Sequence, residues 1–370
     1  MTKISVVIPS YNHRRYIGAA LRSLEEQTFR DFDVWIVDDG STDDSVRVIE
    51  SFINASSLPI TLVTQPNAGA HTALNRAIQM SHGDIVAILN SDDEYHPMRL
   101  ERIEAAASPN TPFIAFSKFQ FIGEEGLAIP DDAHNIWYRE ALAEYETLPS
   151  VGFMLIRSNI SATTTSNYVF SRTLYGEVGP FRNFKTAHDL DFLLRCVQLV
   201  EPLFIQEQLL NYRIHGKNTI NLNRDIEFQE VRALLDDYVR AVTAHIPKNC
   251  AAPGARQLSL YSRYFFIDRD HWSGPLSDEL RLALCAALDS APTGADALAF
   301  RLEVERLKAE LRGKSKVEYE LLETAMVRQN LLERLEALQT STSWKVTAPL
   351  RKSVSVWRAL VANRKGRAPI

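Results

Sequence analysis

The residues best suited to chemistry lie in short polar knots between apolar runs. The densest is Asn90-Ser91-Asp92-Asp93, which closes the apolar run Ile85-Val86-Ala87-Ile88-Leu89. Pro97 follows and suits the opening of a helix at Met98-Arg99-Leu100-Glu101. Carboxylates at the carboxyl end of a buried strand sit where open α/β sheets present ligands to solvent. Hard cations take oxygen ligands, and a magnesium ion shared with a substrate phosphate needs only one or two protein carboxylates. Asp92 and its neighbours are therefore candidates for holding a divalent metal against a nucleotide diphosphate. Asp and Ser are also common helix caps, so this stretch alone leaves a capping turn open. Three other loops carry related chemistry. Tyr11 and Asn12 offer an aromatic face and an amide. Asp39 offers a carboxylate that can accept from the imide N–H of uracil or thymine. Asn67, Gly69 and Asn75 can let backbone and amide approach a base or ribose. Each of these loops is also an ordinary turn; jointly, four of them at one sheet edge point to a ligand.

Regular elements must deliver those loops to one place. Ile4-Ser5-Val6-Val7-Ile8-Pro9, Phe32 to Val37, Ile60 to Val63 and Ile85 to Leu89 read as buried strands. Between them lie helical stripes: Ile17, Ala20, Leu21 and Leu24; Val46, Val48, Ile49 and Phe52; and a helix from Thr72 to Met80. Strands alternating with helices imply a parallel sheet with right-handed crossovers and active groups at its carboxyl edge. No Gly-x-Gly-x-x-Gly follows the first strand and there is no Walker lysine, which disfavours dehydrogenases and phosphate-loop NTPases. A diphosphate bound here needs a metal rather than a glycine loop to neutralise it.

Val6-Val7-Ile8-Pro9-Ser10-Tyr11-Asn12 and Val37-Asp38-Asp39-Gly40-Ser41-Thr42-Asp43-Asp44-Ser45 resemble the amino-terminal signature of family 2 glycosyltransferases with the GT-A fold. Asn67-x-Gly69-x-x-x-Ala73-x-Asn75 and Ser91-Asp92-Asp93 are similar to that family's later motifs, and the likeness spans residues 3–220. It implies an α/β fold of GT-A type, Rossmann-like with a mostly parallel central sheet. It also implies a nucleotide-diphosphate sugar donor, a divalent metal (Mn²⁺ or Mg²⁺) and inversion at the anomeric carbon. The donor would be held among Pro9, Tyr11, Asn12, Asp39, Asn67, Gly69, Asn75, Asn90 and Asp93. The family's Asp-x-Asp reads Asn90-Ser91-Asp92 here. Asp92 matches the metal-binding member, while Asn90 keeps a hydrogen bond for ribose but adds no charge. Thr186-Ala187-His188-Asp189-Leu190-Asp191 resembles the acidic pair that precedes a helix, which makes Asp189 the implied catalytic base and puts His188 where glutamate is common. Displacement with inversion needs one group to take the acceptor hydroxyl's proton. Asp191 and His188 are the alternatives for that role. Asn211-Tyr212-Arg213-Ile214-His215 resembles a Tyr-Arg-x-His element, implying metal contact by His215 and donor-phosphate contact by Arg213.

The chain has 370 residues and a net charge of −5. Its three widely spaced cysteines form no disulfide framework or metal cluster, which fits a reducing compartment. With no signal peptide and no membrane-spanning run, a cytoplasmic protein is expected. Five segments are expected. Residues 1–110 form the nucleotide-sugar half and 111–222 the half bearing the acceptor site and the base. A helical extension covers 223–295, a long helix or coiled coil 296–340, and a tail 341–370. Heptad-like Phe300, Val304, Leu307 and Leu311 suggest homo-oligomerisation through a coiled coil. From Trp344 to Ile370 there are seven basic residues and no acidic ones, leaving 34 basic against 46 acidic in the rest. That balance argues against nucleic acid as a partner. The aromatic, basic tail suits the inner face of a membrane, consistent with a glycan or lipid-linked acceptor. A non-catalytic scaffold that recruits partners through its C-terminal helices is the competing reading.

Overall fold

Strands buried on both faces are near-continuous apolar runs, and β1 (Ile4–Ser10) is one, with Ile4, Val6, Val7 and Ile8 inaccessible to solvent and the buried Ser5 hydroxyl accepting the Gly83 N–H at 2.9 Å. It is followed by α1 (Ile17–Glu25), β2 (Phe32–Asp38), α2 (Ser45–Ala55), β3 (Ile60–Thr64), α3 (Ala70–Met80) and β4 (Ile85–Ile88). Then come β5 (Glu94–Tyr95), α4 (Arg99–Ala106), β6 (Ile114–Ile122) and α5 (Ala133–Tyr145). The last elements are β7 (Val169–Ser171), α6 (Arg172–Val178), α7 (His188–Val197), β8 (Leu203–Arg213) and α8 (Arg224–Ala244). This computed structural model describes residues 3–107, 111–129, 133–145, 150–152, 164–216, 218, 224–245, 247–249 and 251–252. The chain divides into two compact units, Met1–Leu280 and Arg281–Ile370. The expected helical extension beyond residue 252, the coiled coil and the basic tail lie outside the described residues. Among the described residues no helix is long and apolar enough to cross a membrane.

The eight strands form one sheet in the order β3-β2-β1-β4-β7-β6-β8-β5. The first four are parallel, as their alternation with helices predicts. Beyond β4 the expectation of a parallel sheet needs correcting. Strand β7 runs antiparallel to both β4 and β6, β8 is parallel to β6, and β5 is antiparallel to β8. The two expected halves therefore share a single sheet. The chain leaves β1 in one direction for β2 and β3, then returns to β4 on the other side. The crevice at the carboxyl ends of β1 and β4 is thus the topological switch point, where such sheets bind ligands.

Two small features aim the second half at that crevice. Strand β5 pairs Glu94 with Asn211, which brings the segment after β4 beside the end of β8. The Thr165–Asn167 turn is held by Arg99, a wholly buried guanidinium. Arg99 donates to Ser117 Oγ at 2.7 Å and to the carbonyls of Ser166 and Asn167 at 3.3 and 3.1 Å, and it lies 4.6 Å from the Tyr95 ring centre. Arg99→Leu strands these acceptors in the core, at a cost on the order of 2–3 kcal/mol. Chemical denaturation should show that loss; an unchanged midpoint would exclude the keystone role.

Candidate functional site

Three ligand-type side chains converge at the switch point. Asp92 belongs to the loop after β4, His13 to the loop after β1, and His215 lies just beyond β8. One ligand atom from each lies within 4.8 Å of the others. His215 Nε2 is 3.0 Å from Asp92 Oδ2 and His13 Nε2 is 3.9 Å from the same oxygen. Asp92 is 9 % exposed and His215 5 %. Burial would raise the Asp92 carboxyl, but the His215 hydrogen bond and the charges of His13 and His215 outweigh it and hold the group below its ordinary value. Tyr16 buttresses the cluster from α1's entrance, with its ring stacked on His215 at 4.7 Å. Neither His13 nor Tyr16 stands out in the sequence. The signal that could have found them is topological, because loops after adjacent strands β1 and β4 must face each other.

Asp93 and Arg213, expected as donor contacts, face inward instead. Asp93 is fully buried and accepts from Ser166 Oγ at 2.5 Å, Thr164 Oγ1 at 2.9 Å and the Arg213 N–H at 2.9 Å. Burial and the adjacent Asp92 charge push its carboxyl up to about 8 against the pull of those donors. Arg213 is 2 % exposed. Its guanidinium donates to the carbonyls of Asp92, Gly123 and Glu124 at 2.8, 2.8 and 3.1 Å and pairs with Glu94. A phosphate would have to displace these partners, so Arg213 is corrected to a structural clamp on the loop that carries Asp92. His215 lies past the end of β8, so the two residues do not share one strand face. Asn90 is half-buried and donates one side-chain N–H to Thr164 Oγ1 at 3.0 Å.

The remaining expected donor contacts divide between loop ties and open surface. Asp39 accepts from Gln65 Nε2 and from the N–H groups of Ala68 and Gly69 at 2.8, 2.9 and 2.8 Å. It thereby folds the Asn67 loop back onto β2, with Gly69 at φ +91°, where a side chain would be strained. Asn12 also has a positive φ, 54°, and its amide oxygen accepts from the N–H groups of Thr42 and Asp43 at 2.8 and 3.3 Å. This ties the first loop to the second. Asn75 brackets the Phe181 backbone, donating to its carbonyl at 2.8 Å and accepting its N–H at 2.9 Å. Asn75 thereby anchors the segment before α7. Pro9 lies in β1 opposite Val37, while Tyr11 and Asn67 are exposed at the loop surface.

Asp189 sits half-buried in the first turn of α7. Its charge reaches the buried Tyr168, whose hydroxyl burial first and Asp189 second push well up. The main-chain carbonyl of Tyr168 accepts from the Ile88 N–H at 3.0 Å, which sets this residue against the end of β4. The two alternatives for a base are otherwise engaged. Asp191 is buried and paired with Arg195 at 2.7 Å and Arg182 at 3.4 Å. Burial, with His71 nearby, pushes the His188 imidazole down to about 4, and its enclosed Nδ1 has no hydrogen-bond partner. Ala187 at the cap of α7 has no side-chain acceptor, and Glu230 from α8 supplies one. It accepts from the N–H groups of Lys185, Thr186 and Ala187 at 2.8, 2.9 and 3.0 Å and from Thr186 Oγ1 at 2.7 Å. Burial alone would raise the Glu230 carboxyl, but these donors hold it below the usual 4.5. A depressed folded value means the contribution is complete above the ordinary value and is lost as pH falls through the folded one. The melting-temperature gap between wild type and Glu230→Gln should therefore be open at pH 7 and close below about pH 4.5. A gap that does not change with pH would remove the charge from this role.

One carboxylate and two imidazoles form a donor set fit for a divalent ion, and the crevice is where a ligand would meet it. Residues 5–177 match the family described as Glycosyl transferase family 2. The amylovoran biosynthesis glycosyltransferase AmsB of Erwinia amylovora is 30% identical over 220 residues, covering 57% of this chain and 69% of AmsB. Among solved structures, Staphylococcus aureus TarS residues 1–349 in complex with UDP-GlcNAc aligns with a TM-score of 0.54 at 17% identity, covering 89% of this chain and 92% of that one. The mannosyltransferase PcManGT of Pyrobaculum calidifontis, in complex with GDP-Man and Mn²⁺, aligns with a TM-score of 0.51 at 18% identity, covering 90% and 88%. At these identities the two structures establish the likeness of fold.

Proposed function

The chain belongs to the family 2 glycosyltransferases, and from that membership we propose an inverting, metal-assisted enzyme that moves a sugar from a nucleotide-diphosphate donor to a glycan or lipid-linked acceptor. Its setting is polysaccharide or cell-surface glycan assembly, by likeness to the amylovoran enzyme. The observation that carries the mechanism is the Asp92–His215 pair at the switch-point crevice, in a fold whose α7 bears Asp189 in its first turn.

Asp39 keeps one acceptor direction beyond its three loop bonds, enough for the imide N–H of a pyrimidine base. Tyr11, 45% exposed, is available to stack on that base, with Pro9, Asn67 and Gly69 shaping the pocket beside it. Asp92 and His215 hold the metal, which when bound lends positive charge to the leaving diphosphate. Asp189 takes the proton from the acceptor hydroxyl as its oxygen attacks the anomeric carbon from the face opposite the leaving group. Glu230 fixes the turn that aims Asp189.

The test is release of nucleoside diphosphate from a panel of UDP- and GDP-sugars, with Mn²⁺, with Mg²⁺ and with chelator. Metal-dependent release from one donor is expected. No release from any donor by well-folded protein would favour the scaffold reading.

A further inference from the structure

We propose that His13 is a third protein ligand to the metal, supplying a donor atom that Asn90 does not, and that the resulting set of two imidazoles and one carboxylate favours Mn²⁺ over Mg²⁺. This rests on the metal reading of Asp92 and His215 above.

The loop after β1 is built to present His13. Asn12 adopts its left-handed backbone only with support, which comes from Ser41 Oγ accepting the Asn12 N–H at 2.8 Å and from the bonds of Thr42 and Asp43 to its amide. The next residue is then pinned, since the His13 carbonyl accepts from the N–H groups of Tyr16 and Ile17, both at 2.9 Å, and so starts α1. Its ring is oriented as well. His13 Nδ1 lies 2.8 Å from Ser91 Oγ, and a proton shared there leaves Nε2 as the atom facing Asp92. Metal-bound histidines are commonly fixed this way, through a hydrogen bond from the other ring nitrogen.

Two imidazoles crossing at 86° with centres 5.7 Å apart, both directed at one carboxylate oxygen, need a reason. As a salt bridge the arrangement is poor, because a second protonated ring would be repelled by the first. As a ligand set it is sound, because a cation satisfies both nitrogens and the oxygen together. The switch to nitrogen has a chemical consequence. Mg²⁺ demands oxygen donors and sheds water reluctantly, whereas imidazole suits first-row transition ions. Asn90 supplies no carboxylate to offset this, and its amide is turned to Thr164.

The test uses Mn²⁺ as probe, bound to the full chain and followed by electron paramagnetic resonance, with ¹⁴N couplings counted by pulsed methods. Wild type should show two imidazole nitrogens and His13→Gln one, with Mn²⁺ affinity falling about tenfold or more. His13→Asp should raise Mg²⁺ affinity relative to Mn²⁺. Circular dichroism establishes that each variant is folded. Equal affinity and equal nitrogen count in wild type and His13→Gln, while Asp92→Asn loses the ion, would overturn the role of His13 and leave the underlying site intact. If wild type itself binds no Mn²⁺ through Asp92, the underlying reading fails and this inference with it.

Discussion

Asp189→Asn should cut turnover by about a thousandfold while leaving donor affinity nearly unchanged, since positioned proton transfer contributes roughly 10²–10⁴ to such rates. The substitution keeps the side chain's size and its place in the first turn of α7, and removes only the capacity to accept a proton. Neighbouring acids and bases cannot take over. Asp191 is occupied by two arginines, and the Nδ1 of His188 is enclosed by protein. Titration calorimetry with the active nucleotide-sugar separates binding from chemistry. A variant that retains a tenth of wild-type turnover would move the base elsewhere.

Asp92→Asn is expected to do the opposite, losing metal and donor together. Its oxygen is the one both histidines approach, so the loss removes the only carboxylate in the set and its charge. Metal affinity should fall by about a hundredfold and kcat/KM by at least as much. High Mn²⁺ should partly restore this variant but never Asp189→Asn. Equal rescue of both would mean that the two residues share one role.

Much of the fold was legible because buried parallel strands must be continuous apolar runs, and Ile4 to Ile8 or Ile85 to Leu89 leave little choice. What escaped was set by partners distant in sequence. Strand β5 is two residues long and exists only by pairing with β8, while α5 and α6 lack the strong apolar stripe that marks α1. The site was legible in outline for the same reason that it was blurred in detail. A loop carboxylate or amide has the same sequence signature whether its lone pairs meet a ligand or its own backbone. Asp93, Asn75 and Arg213 meet the protein: Asp93 two hydroxyls, Asn75 the Phe181 main chain, Arg213 three carbonyls. Asp92 differs because it meets two imidazoles brought from residues 13 and 215, a convergence that only the sheet order creates. Glu230 was equally hidden, as nothing in an exposed helix face shows which loop it will cap.

The most direct measurement is an anomalous difference map at the manganese edge from crystals grown with Mn²⁺ and UDP. The expected peak lies within bonding distance of Asp92 Oδ2 and His215 Nε2. A single strong peak at other carboxylates, such as Asp39 or Asp43, or UDP bound with no peak at Asp92, would contradict a metal-assisted transfer at this crevice.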